Sequence, residues 1–134
     1  MKALLDTSVL VPTFEPGQTA PDLSDFDDVL VSVLSFTELA IGVRTIADVT
    51  VLRRRMTRMT ALRELFGQGL PFDDACLRAY ERLLDHLADN GGDVKARRFD
   101  RLIAACALAN GATLVTRNAD HVRNLAPLID IVVR

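Results

Sequence analysis

Apolar residues follow two rhythms along this chain, and the rhythms alternate. Lys2–Leu5 is a short apolar stretch, Val29–Leu34 is a run rich in β-branched residues, and Ala112–Thr116 and Ile129–Val133 are similar short runs. Each has the length and composition of a strand. Between them the apolar positions recur every three or four residues. One set is Phe36, Leu39, Ala40, Val43 and Ala47, and a second is Leu52, Met56, Met59, Leu62 and Phe66. A third is Cys76, Tyr80, Leu83, Leu84 and Leu87, and Phe99–Asn110 is almost wholly apolar. These spacings predict four helices, the last buried on several sides.

Punctuation supports the division. Ser35-Phe-Thr-Glu38 has the form of a capping box, and Asp73 or Asp74 can cap the third periodic segment. Gly67 and Gly69, Asn90-Gly91-Gly92, and Gly111 stand where helices should stop. Thr7–Thr13 predicts a short helix halted around Pro12 and Pro16, and residues 15–28 read as loop. Leu70–Phe72 suggests a short edge strand, and residues 118–125 a turn or short helix. Strands and helices alternating throughout predict an α/β fold with a mostly parallel sheet and helices on both faces. Ligands of such sheets bind beyond the carboxyl ends of the strands.

The chain has 134 residues, 49% hydrophobic and 25% charged, which suits one domain over 1–134. With aromatics at 5%, aliphatic side chains must build the core. No apolar run approaches the ~20 residues of a membrane span, and an acid follows the first five residues too soon for a signal peptide. Cys76 and Cys106 lie on helical apolar patterns, so buried free thiols in a reducing, cytoplasmic compartment are expected. A net charge of −2 argues against a protein that coats nucleic acid. The charge is uneven, however. Asp22, Asp25, Asp27 and Asp28 share one segment, while Arg53, Arg54, Arg55, Arg58 and Arg63 share another. Arg97, Arg98 and Arg101 flank a third.

The informative polar residues stand at the junctions between elements. Asp6 follows the first strand, Glu38 lies one turn into the helix after the second, and Asp100 opens the apolar helix. Asn118 and Asp120 follow the strand ending at Thr116. Singly, each is explained as a cap or first-turn acid, and the helical wheel places Glu38 opposite the apolar stripe, in water. Together they imply more. Neighbouring parallel strands lie ~4.8 Å apart, so acids at their ends converge and repel. A hard divalent cation such as Mg²⁺ or Mn²⁺ resolves that repulsion, and can drive phosphodiester hydrolysis.

Four segments in order resemble the motifs of PIN domains, and in size and style those of VapC-type toxins. They are Leu4-Leu-Asp-Thr-Ser-Val9, Ser35-Phe-Thr-Glu-Leu39, Phe99-Asp-Arg-Leu-Ile-Ala-Ala105 and Gly111-Ala-Thr-Leu-Val-Thr-Arg-Asn118. The resemblance implies a three-layer α/β/α fold and a Mg²⁺- or Mn²⁺-dependent endoribonuclease. It also implies a homodimer neutralised by a cognate VapB-type antitoxin. Carried over by position, Asp6, Glu38 and Asp100 are the acidic core, with Asn118 or Asp120 completing the metal site. Thr7 or Ser8 would order the first acid, and Thr116 would position the fourth motif. Arg97, Arg98, Arg101 and Arg117 are candidate RNA contacts. For Arg117 the rival is a salt bridge to a site acid.

The fourth motif departs from the family pattern. Asn118 is neutral, and the later acid, Asp120, is followed by His121 and Val122. That leaves a second reading, a catalytically weak PIN-like module that binds RNA or protein. A receiver-type signalling domain has a similar layout. It requires an acidic pair after the first strand and a Lys after the last. Asp6 stands alone, and Lys2 and Lys95 are the only lysines.

Overall fold

A computed structural model describes residues 1–11 and 17–134. Its elements are β1 (Lys2–Leu5), α1 (Thr7–Leu10), β2 (Asp28–Val31), α2 (Val33–Arg44) and α3 (Val49–Phe66). These are followed by α4 (Asp74–Asp89), α5 (Arg98–Ala109), β3 (Thr113–Thr116) and β4 (Ile131–Val133). Two short 3₁₀ turns, Ala119–His121 and Arg123–Leu125, link β3 to β4. The expected end of the first helix, at Thr13 between Pro12 and Pro16, lies outside the described residues.

The four strands are parallel, in the order β2-β1-β3-β4. Period-two alternation sends Leu4 and Leu114 into one core and Ala3, Leu5 and Val115 into the other. The first core packs under α4 and α5, the second under α1, α2 and α3. This is the expected sheet with helices on both faces. On α5, Ala104, Ala105 and Ala107 are fully buried, and their small side chains let the helix lie close to the sheet and to α4.

Strand order places the site. After β1 the chain moves to β2 on one side. It later returns to β3 on the other side of β1. Between β1 and β3 the order reverses, and a crevice opens there beyond the strand ends. Asp6 follows β1 and Thr116 ends β3, so both stand at its floor.

Several local expectations change. The strand ends at Val31, and Val33 and Leu34 are already helical. The cap is Ser32, whose side chain accepts from the Leu34 N–H at 3.1 Å, and not Ser35. Ser35 falls inside the first turn, and its buried hydroxyl has no partner among the described residues. The hydrophobic run hid this boundary, because Leu34 serves a strand or a helix equally. Ala47 is exposed beyond the end of α2. On α3 only Leu62 is buried, with Met59 and Phe66 packed against the core and Met56 exposed. Leu70 makes a single bridge to Ser32 in place of an edge strand. Asp73 caps α4 as expected.

These boundaries are testable by denaturation. Ser32→Ala should cost about 1 kcal/mol, the usual worth of a cap. Ser35→Ala, which deletes an unsatisfied hydroxyl, should be nearly neutral, within about 0.5 kcal/mol. A capping box at Ser35 would give the reverse order.

Candidate active site

Asp6 leaves β1 with its backbone N–H still bonded to the Val115 carbonyl at 2.8 Å. The residue is buried, at 7% exposure, so its carboxylate must be satisfied from within. Two hydroxyls do this. Ser8 Oγ donates to Oδ2 at 2.6 Å, and Thr116 Oγ1 donates to the same oxygen at 2.9 Å. Each hydroxyl also accepts a backbone N–H, from Arg117 to Ser8 and from Asn118 to Thr116, both at 3.0 Å. A hydroxyl has one proton. Both protons go to Asp6, so the 3.3 Å approach of Ser8 to Thr116 is contact between neighbours. The turn after β3 therefore clamps the acid after β1.

Glu38 enters from α2, where Thr7 Oγ1 donates to its Oε1 at 2.6 Å. Thr7 thus orders the second acid, while Ser8 orders the first. Glu38 is half-buried, contrary to the wheel, because α1 folds over its helix face. Its pKa is raised, first by burial and then by the charges of Asp6 and Asp100, with the Thr7 bond opposing. Asp100 comes from the first turn of α5, entered through a left-handed Arg97 at φ 52°. Its pKa is also raised, by burial and then by Asp6, against lowering by His121 and Arg97. The three acids therefore share one field.

The remaining candidates separate. Asn118 contributes its backbone N–H to the clamp while the residue itself is exposed. Asp120 turns outward and pairs with Arg123. Arg101 is a correction to the candidate RNA contacts. It is buried, with its guanidinium donating to the Asp93 carbonyl, and so cannot meet a phosphate. Arg117 is exposed and reaches Gln18 at 3.3 Å, without the site-acid salt bridge weighed above. Arg97 and Arg98 are exposed beside Asp100. The residue that sequence reasoning underweighted is His121. Its Nδ1 lies 3.4 Å from Asp100 Oδ2, and the two side chains are 32% and 22% exposed. No ligand spacing in the sequence marked it.

A cleft of about 220 Å³ adjoins the acids, lined by Thr7, Glu38, Val11, Leu39, Val43 and Arg55. Asp6 and Asp100 lie beyond its lining. Among the described residues, no three His, Cys, Asp or Glu side chains form a group able to hold an ion by themselves. The donor set nevertheless suits a hard cation. Asp6 Oδ1, Glu38 Oε2 and Asp100 Oδ1 make no hydrogen bond to described residues, and all are oxygens. Mg²⁺ retains several waters and uses few carboxylates, so an open set of this kind fits it better than a closed cage would.

A PIN-domain family model matches residues 3–126. The chain belongs to the PIN-domain family. It is 31% identical over 117 residues to Ribonuclease VapC5 of Mycobacterium tuberculosis, covering 87% of this chain and 83% of that protein. The crystal structure of VapBC-5 from the same organism, a member of the VapBC toxin–antitoxin family, superposes with a TM-score of 0.78 at 27% identity. That match covers 98% of this chain and 96% of the other. VapBC2 from Rickettsia felis, bound to a DNA fragment from its promoter, gives 0.80 at 22% identity, covering 100% and 99%, a likeness of fold. The parallel α/β sheet read from the strand alternation, and the PIN-like architecture that the motif resemblance implied, are thus the ones observed. Among the described residues, no helix is long and apolar enough to cross a membrane.

The raised pKa of Glu38 has a consequence for stability. The folded chain holds that proton more tightly than the unfolded chain does. Stability is therefore greater where the proton is on, and falls as pH rises through the folded value. Without metal at neutral pH, Glu38→Gln should melt a few degrees above the parent, and the gap should close on acidification. Excess Mg²⁺ should stabilise the parent more than the variant. Parallel melting curves across pH would contradict the shared field.

Proposed function

We propose that this PIN protein is a Mg²⁺- or Mn²⁺-dependent endoribonuclease of the VapC type, acting as a single domain over 1–134. The observation that carries the reading is that the charges of Asp6 and Asp100 bear on Glu38, and that of Asp6 on Asp100, around the end of the sheet. A cation would relieve that mutual repulsion. The likeness to Ribonuclease VapC5 supports RNA as the substrate. That to VapBC-5 supports control by a VapB-type antitoxin, and the homodimer is carried from the motif resemblance. Cytoplasmic action fits the buried free thiols, Cys76 and Cys106, the latter with its pKa pushed up to about 12 by burial.

Asp6 and Asp100 would hold the ion directly and Glu38 directly or through a coordinated water, and the ion would supply Lewis acidity and charge neutralisation for phosphodiester hydrolysis. Asp6 is the fixed point, since Ser8 and Thr116 leave it one orientation and one open oxygen. Asp100 offers its second oxygen from the opposite wall. Glu38 holds a proton more readily than an ordinary glutamate. It is the acid suited to receive a proton from the attacking water, at the oxygen Thr7 leaves open. Water adds its oxygen to phosphorus, and the bond to the leaving ribose oxygen breaks. Arg97, Arg98 and Arg117, all exposed, would meet flanking phosphates. Asn118 and Asp120 do not add charge to the acidic core, so three acids carry the chemistry.

Purified protein incubated with total cellular RNA should cut at a few sites with Mg²⁺ or Mn²⁺ and not with chelator. Asp6→Asn or Asp100→Asn should lose at least ~100-fold in rate, the scale of removing one charge-stabilising group, with circular dichroism unchanged. Well-folded protein that binds RNA in every metal without cutting it would favour the binding-module reading instead.

A further inference from the structure

The fourth motif delivers a group to the site that is neither of the two acids or amides expected there. We infer that His121 is a positioning residue for Asp100: its Nδ1–H holds Asp100 Oδ2, so that Oδ1 is left open for a cation. The inference rests on the metal-site reading of the three acids and names how one of them is held.

The local chain explains why His121 arrives there. A 3₁₀ turn has three residues per turn, so successive side chains point about 120° apart. Val122 is anchored in the core at 3% exposure, and Leu125 beyond it is fully buried. Asp120 faces solvent and pairs with Arg123. The remaining direction, toward the first turn of α5, falls to His121. Its backbone N–H is tied to the Asn118 carbonyl at 3.0 Å, which fixes the turn to the end of β3. The ring is therefore set by the same strand end that clamps Asp6.

The contact is 3.4 Å, longer than a settled N–H···O bond. Unliganded sites commonly hold such bonds long and shorten them when the reacting partners arrive. The contact matters because Asp6 and Glu38 each have a hydroxyl to fix one oxygen, from Ser8 and Thr116 or from Thr7. Asp100 has no hydroxyl partner among the described residues. His121 fills that role, and all three carboxylates are then held by one oxygen and open at the other. An outer partner that fixes a ligating carboxylate typically contributes 10–100-fold in metal affinity.

The experiment is Mn²⁺ binding by isothermal titration, with RNA cleavage and metal-free melting measured on the same proteins. His121→Ala should weaken Mn²⁺ binding by about 10–100-fold and lower kcat at a fixed Mn²⁺ level, with KM for RNA and the metal-free melting temperature unchanged. His121→Asn keeps an N–H at the same distance from the backbone as Nδ1, and should recover most of the affinity. Three results would overturn the inference. His121→Ala could bind Mn²⁺ as tightly as the parent. His121→Asn could fail as badly as His121→Ala, which would make the imidazole nitrogen itself a ligand. Parent protein could show no Mn²⁺ binding at all, which would remove the metal reading and this inference together.

Discussion

The mutual repulsion of Asp6, Glu38 and Asp100 at one end of the sheet is the constraint around which this molecule is arranged. Like charges at short range disfavour ionisation, and burial adds to the penalty. Glu38 and Asp100 both register it, and Asp6 contributes to each. Arg97 and His121 offset part of that repulsion at Asp100. The chain also supplies hydroxyls, two on Asp6 and one on Glu38, which fix orientation without cancelling charge. On the proposed reading, a cation would relieve what the hydroxyls leave.

The fold makes this possible through its strand order. Reversal between β1 and β3 brings residues 6 and 116 together, although 110 positions separate them in sequence. Helices α2 and α5 then present Glu38 and Asp100 from the two layers on either side of the sheet. The cores beneath are mostly aliphatic, with Phe26 and Phe36 in the second. Around it the surface is uneven in charge. Exposed Arg97, Arg98 and Arg117 lie near the acids, while the chain as a whole remains slightly acidic at −2. That distribution suits a substrate met locally through its phosphates.

Much of this was legible in the sequence because it depends on periodicity and order. The alternation of short β-branched runs with three-four spacing yields the α/β class, and Asp6, Glu38 and Asp100 stand at junctions that a parallel sheet must bring together. What escaped depends on side-chain direction. The helical wheel treats Glu38 as opposite its helix's apolar stripe, yet α1 covers that side. Ser32 and Ser35 are both plausible caps, and only the Leu34 N–H decides between them. Arg101 looks like a phosphate contact by its neighbours, but the start of α5 turns it inward to the Asp93 carbonyl. His121 has no ligand-like spacing to any other residue. Its place follows from a 3₁₀ turn whose phase is set by buried Val122.

Anomalous diffraction from crystals grown with Mn²⁺ tests the central claim most directly. The account predicts a manganese peak in the β1–β3 crevice, within ligand distance of Asp6 and Asp100 and with Glu38 bound directly or through one water. A well-ordered crystal with manganese only elsewhere on the surface, and the three carboxylates still empty, would contradict it.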